Sequence, residues 1–267
     1  MKYATAAILA ALLAARLAPA AIHSETVQYK QGDATLRGYL AYDDAVQGRR
    51  PGVLVVPEWW GLNDYAKHRA QMLAQLGYVA FAADMYGDGK TTNDVKEAGQ
   101  WAGALKGNRA LLRQRVRAGL DALKARPQVD PSKTAAIGYC FGGTSVIELA
   151  RSGADVAGVV SFHGGLDSPD PSAGANIKCR LLICHGANDT FESPQDVEAF
   201  EKELKDHHVD WQMNIYANAV HSFTNPDADK HGIPGVAYNH EADVRSWQAM
   251  QLFFHDLFHT AAPAGVR

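Results

Sequence analysis

The feature that most narrows the fold is an alternation in which short runs rich in Val, Ile and Leu are separated, repeatedly, by longer stretches with helical spacing. Residues 52–56 form a continuous apolar run of the buried-strand kind, and 64–76 follow with apolar side chains at Tyr65, Met72, Leu73 and Leu76 before the stop signal Gly77. Residues 78–83 read again as strand, and 93–124 as helix divided in two near Gly107. Further strands are expected over 134–137, 156–162, 181–184 and 211–216, and helices over 142–151, 193–206 and 241–259. The alternating polar and apolar residues of 35–42 suit a half-exposed strand. Together they predict an α/β fold, a mostly parallel central sheet with helices on both faces. Reactive groups in such a sheet gather where strands give way to loops at their carboxyl ends.

The first residues stand outside the pattern. Lys2 precedes an apolar run over 4–15, followed by Ala18, Pro19 and Ala20, the layout of a secretory signal peptide cleaved after Ala20. The run is shorter than the roughly 20 residues of a membrane span, and Arg16 near its end departs from the usual arrangement. Cleavage leaves residues 21–267, an exported protein, periplasmic or secreted, with no membrane attachment. No linker, repeat or low-complexity tract divides it, so one domain is expected. Loss of Lys2 and Arg16 takes the formal net charge from −3 to −5, which offers no grip on nucleic acid or anionic membranes.

Cys140, Cys179 and Cys184 all lie in the mature part. Export favours pairing, yet Cys179 and Cys184 flank an extended run that would hold their sulfurs apart on opposite faces. At least one free thiol is therefore expected. Cys140 lies in Ile137-Gly138-Tyr139-Cys140-Phe141-Gly142-Gly143, between a strand pattern and a helix pattern. That is the spacing of the G-x-S-x-G nucleophile elbow with sulfur in place of oxygen. The glycines at 138 and 142 leave room for neighbouring backbone, and the helix N-terminus favours thiolate. A structural cysteine in a glycine-rich turn is the plainer reading.

The elbow order asks for an acid and then a histidine on later loops. Asp189 follows the run ending in His185, and His221 follows the 211–216 strand. His163 and His185 directly follow strands and precede Asp189, which suits pocket walls, His163 the more so. His255 and His259 are four apart on the last helix, but without an H-E-x-x-H arrangement they read as solvated surface, and no metal is expected. Glu58, between Pro57 and the pair Trp59 and Trp60, is either a desolvated acid able to hold a proton or an exposed loop residue.

The motifs Val-Val-Pro-Glu58-Trp59-Trp60-Gly-Leu-Asn, Ala-Asp84-Met-Tyr86-Gly, Gly-Tyr-Cys140-Phe-Gly-Gly, His-Gly-Ala-Asn-Asp189 and His221-Ser-Phe223 together resemble the dienelactone hydrolase family, also called carboxymethylenebutenolidases. The resemblance runs over residues 26–258 and implies an α/β-hydrolase fold. It implies a triad of Cys140, His221 and Asp189, with Glu58 partnering the resting thiol and the amides of Trp59 and Phe141 forming an oxyanion hole. Tyr86, Trp60, Phe223 and His163 are expected to face a small-molecule ester or lactone, and no cofactor is implied. Members that cleave dienelactone carry an arginine after the Asp-x-Tyr segment and another after His-Ser-Phe. Here those places read Gly87-Asp88-Gly89 and Thr224-Asn225-Pro226. No planar cationic clamp for a carboxylate remains, so an ester or lactone other than dienelactone is expected. A thiol-reactive redox role for Cys140, or a non-catalytic binding protein on the same fold, are the alternatives.

Overall fold

The computed structural model describes residues 21–259; the leader expected over 1–20 lies outside them. Eight strands form one sheet in the order β1-β2-β4-β3-β5-β6-β7-β8. They are β1 (Ile22–Gln31), β2 (Ala34–Asp43), β3 (Arg50–Val56), β4 (Val79–Ala82), β5 (Val129–Tyr139), β6 (Gly158–Phe162), β7 (Arg180–Gly186) and β8 (Trp211–Tyr216). β1 and β2 pair antiparallel, as do β2 and β4, and every other neighbouring pair is parallel. The helices are α1 (Asp64–Gln75), α2 (Val95–Lys106), α3 (Arg109–Lys124), α4 (Phe141–Arg151), α5 (Pro194–Asp206) and α6 (His240–His259).

The period-two geometry of strands divides the core in two. Leu54, Val56, Ala136, Val159, Leu181 and Ile183 face α2 to α5, whereas Val53, Val55, Ile137, Val160, Leu182 and Cys184 face α1 and α6. Cys179 and Cys184 accordingly pack into different halves, and all three cysteines are free thiols. Each fully buried Leu, Ile, Val or Phe contributes about 1.5–3 kcal/mol. Close fit matters as much as area: a Cβ on Gly38 of β2 would lie 2.2 Å from the ring of Phe81 in β4.

Local signals set the boundaries. Gly107 closes α2 and Asn108 opens α3 by accepting from Leu111 N, so the break falls where the sequence placed it. Ser193 and Asp196 form a reciprocal capping box on α5. The strand missing from the sequence reading is β1, whose first seven residues IHSETVQ mix charge with few apolar side chains because it is an edge strand bonded on one side only. None of the helices among the described residues is long and apolar enough to cross a membrane.

Candidate active site

The parallel strands deliver the site in turn: β3 leads to Glu58 and Trp59, β5 to Cys140, β6 to His163, β7 to Asp189 and β8 to His221. Between β5 and α4 the chain turns so sharply that Cys140 sits at φ 53°, ψ −117°. A non-glycine residue there carries about 1–3 kcal/mol of strain, held by its surroundings. Those surroundings exclude side chains: a Cβ on Gly138 would lie 2.0 Å from the Gly142 carbonyl oxygen, and one on Gly142 2.1 Å from that of Val56. The second contact presses the start of α4 against the end of β3, which brings the Glu58–Trp59 loop beside Cys140.

The Cys140 amide donates to the Phe162 carbonyl at 3.0 Å and to His163 Nδ1 at 3.1 Å. Since Nδ1 accepts, the His163 proton is on Nε2, which donates to Thr224 Oγ1 at 2.7 Å. Thr224 also meets the Tyr65 hydroxyl at 2.6 Å, and its carbonyl accepts from Arg69 at 2.6 Å. Burial first, then the charges of His221 and Arg69, hold the His163 pKa well below the usual imidazole range, consistent with a neutral ring. His163 is fully buried and stands behind the elbow instead of facing substrate. Phe223, also fully buried, packs against His163 and Tyr216 and does not line the cavity.

His221 Nδ1 lies 2.9 Å from Asp189 Oδ2, whose other oxygen accepts from the Phe191 amide at 2.9 Å. The His221 ring and the Cys140 sulfur line the same cavity and are near enough to couple electrostatically. Burial disfavours the charged form of His221, but the Cys140 sulfur and the bond to Asp189 outweigh it, raising the His221 pKa well above the imidazole range. The backbone of His221 is clamped by Gly235 and Ala237 through bonds of 3.1 and 3.2 Å. His185 is partly desolvated, which lowers its pKa, and it does not line the cavity.

Glu58 is 2% exposed, which decides for the desolvated acid over the exposed loop residue. Its carboxylate accepts from Ser222 Oγ and Asn225 Nδ2, both at 2.7 Å. Burial raises its pKa, opposed by those two bonds and by the nearby His221 and His231. Ser222 and Asn225 thus engage one carboxylate oxygen each, and among the described residues no hydrogen bond joins Glu58 to the Cys140 thiol. Neither partner of Glu58 stood out in the sequence, because a Ser and an Asn in a loop carry no pattern. The Asn225 amide stands in the stretch where dienelactone-cleaving members place an arginine.

The Trp59 carbonyl accepts from the Tyr86 hydroxyl at 3.0 Å, and the Tyr86 ring stacks on Phe141. Tyr86 thus braces the loop from behind and does not line the cavity. As the first residue of α4, Phe141 has an amide without an intrahelical acceptor; among the described residues the Trp59 amide has no backbone partner either. The cavity itself is about 280 Å³ and opens onto Glu58, Cys140 and His221. Trp60 lines it and stacks on His231 at 4.1 Å. Phe191, 4.7 Å from the His221 ring, forms part of its rim. Among the described residues no group of His, Cys, Asp or Glu could hold a metal ion.

The same architecture recurs in solved structures. A dienelactone hydrolase-like promiscuous phosphotriesterase from metagenomic libraries is 45% identical, with a TM-score of 0.87 over 89% of this chain and 99% of its own. A dienelactone hydrolase from Anabaena variabilis superimposes with a TM-score of 0.62 at 22% identity, over 86% of this chain and 98% of its own, a likeness of fold. Among curated proteins, one from Synechocystis provisionally named a carboxymethylenebutenolidase is 28% identical over 82% of this chain and 91% of its own. The family model of the dienelactone hydrolases matches residues 36–258. The chain belongs to the dienelactone hydrolase family and is a hydrolase with the α/β-hydrolase fold.

Proposed function

We propose that the protein hydrolyses a small carboxylic ester or lactone through Cys140, His221 and Asp189, and that dienelactone itself is a poor substrate. The observation that carries this is the convergence of a strained thiol, a hydrogen-bonded imidazole and a buried carboxylate on the wall of one cavity. In the proposed reaction the Cys140 thiolate attacks the ester carbonyl carbon and the carbonyl oxygen becomes an oxyanion. The Trp59 and Phe141 amides are the donors offered to it. As the tetrahedral adduct collapses, the C–O bond breaks and the His221 imidazolium gives its proton to the leaving alkoxide. Water, deprotonated by His221, then attacks the thioester, releasing the acid and regenerating the thiol. Asp189 holds the imidazole in the tautomer this needs. Glu58, raised by burial, holds a proton to higher pH than a surface glutamate, so the forming thiolate meets less repulsion.

The absence of an arginine at Gly87-Asp88-Gly89 and Thr224-Asn225-Pro226 supports the substrate restriction. Comparing kcat/KM for dienelactone and for a short aryl ester tests it; a strong preference for dienelactone refutes it. An aryl phosphotriester belongs in the same screen because the 45% identical relative is named for that activity. We also propose that residues 1–20 are cleaved during export; β1 begins at Ile22, so cutting after Ala20 leaves the sheet whole. N-terminal sequencing of the protein recovered from the periplasm or medium should begin at Ala21, and an intact Met1 there would refute cleavage.

A further inference from the structure

One wall of the cavity belongs to a helix the chemistry does not use. Gly99, Ala102, Gly103 and Lys106 of α2 all line it, and their spacing of three, four and seven puts them on one helix face. The stripe is about 10 Å long at 1.5 Å per residue. It begins at the oxyanion loop, where a Cβ on Gly99 would lie 3.7 Å from the Trp59 ring. It ends at Lys106, beside Glu192 of the β7–α5 loop, which also lines the cavity. A Cβ on Gly103, midway, would meet nothing within 4 Å, so the glycine leaves open space along the slot.

The far end is polar and only partly committed. Lys106 reaches Asp167 at 3.6 Å, while Asp167 is held more closely by Arg109. One Glu192 oxygen accepts from the Leu166 amide at 2.9 Å, and the other has no hydrogen-bond partner among the described residues. We propose that this slot takes the acyl arm of the substrate, and that the preferred arm is apolar, about 10 Å long and ends in a carboxylate held by Lys106 and Glu192. The proposal rests on the hydrolase reading above and gives its substrate class. It also accounts for an anion site without the family's arginines, because the positive charge stands at the end of the slot instead of beside the scissile bond.

The groups facing Glu192 are Lys106 from α2, Asp167 from the β6–β7 loop and Asp189 from its own loop. Burial, reinforced by the two aspartates, outweighs the Leu166 amide bond and Lys106 and pushes the Glu192 pKa up to about 7. Below that pH a neutral carboxyl donates to the substrate's terminal oxygen; above it, two carboxylates repel. Discrimination in favour of the anionic arm is therefore expected to fall as pH rises through 7.

The test compares kcat/KM of the purified protein for 4-nitrophenyl hydrogen suberate and 4-nitrophenyl octanoate, which share arm length and leaving group and differ in the terminal carboxylate. At pH 6 the suberate to octanoate ratio should exceed one, and Lys106→Gln should lower it by about tenfold or more, the effect of a lost charge-assisted bond. Glu192→Gln should abolish its fall between pH 6 and 8. Gly103→Leu should lower kcat/KM for both long esters relative to 4-nitrophenyl acetate. A ratio of one or below, or a ratio unmoved in Lys106→Gln, overturns the proposal while acetate hydrolysis leaves the hydrolase reading standing. Failure to hydrolyse all three esters removes both.

Discussion

The two ends of α4 solve the same problem in opposite ways. Every residue from Phe141 to Arg151 is buried, and each end lies near a buried carboxylate. At the carboxyl end Arg151, with a fully buried side chain, bridges Glu148 at 2.9 Å and Glu203 at 2.6 Å, and Arg113 adds a bond to Glu148 at 2.7 Å. At the amino end Glu58 has no cation in hydrogen-bond contact, only the neutral donors Ser222 and Asn225. Charge is neutralised where α3, α4 and α5 are tied together. Beside the thiol the carboxylate has no bonded cation, and burial raises its pKa against the more distant charges of His221 and His231.

The sharpest test of that division is to remove one group from each end. Cys140→Ala should reduce ester turnover by about a thousandfold or more while leaving the urea midpoint nearly unchanged; retained turnover would move the chemistry elsewhere. Arg151→Met should do the reverse, since stranding the buried Glu203, whose ion-pair partner is Arg151, costs about 3–5 kcal/mol of stability. Its unfolding midpoint should drop while kcat per folded molecule is kept. A Met variant as stable as the parent would mean the network holds no net advantage.

Glu58→Gln probes the amino end more finely. The amide cannot ionise, and the Ser222 hydroxyl can turn to accept from it, so stability should hold while kcat/KM falls by about one to two orders of magnitude. A loss of stability without loss of rate would make Glu58 structural. His163→Gln should slow alkylation of the Cys140 thiol and lower kcat more than it raises KM, because it loosens the amide of the strained residue; an unchanged alkylation rate and an unchanged kcat would reduce His163 to packing.

The smallest effect concerns Glu192. Its folded pKa of about 7 lies above its ordinary 4.5, so the folded state binds that proton more tightly than the unfolded one. Stability from this group is full below about pH 4.5 and is lost as pH rises toward 7. Glu192→Gln should flatten that part of the stability curve, and a slope unchanged in the variant would assign it to another group.

Much of this was legible in the sequence because the signals were local. The break at Gly107 and the Gly138-x-Cys140-x-Gly142 turn are backbone demands written in glycine and side-chain caps. Chain order singled out Asp189 and His221 because each follows a strand whose carboxyl end faces the same edge. What stayed hidden depends on distant pairing. Ser222 and Asn225 meet Glu58 across more than 160 positions of sequence, and Tyr86 turns away from substrate because the Trp59 carbonyl, far from it in sequence, needs a donor. His163 and Phe223 stood in motif positions that suggest exposure, yet the ring of one fills the space behind the elbow and the other packs against it.

The bare turn from β5 into α4, pressed against the end of β3, has a consequence for how this protein can diversify. With Gly138 and Gly142 each within about 2 Å of opposing carbonyls at the position of a missing Cβ, the reacting centre has almost no room for inherited change except in the atom borne by residue 140. Novelty has to enter through panels that touch the ligand without supporting the turn, and α2, with its open glycine, is one such panel.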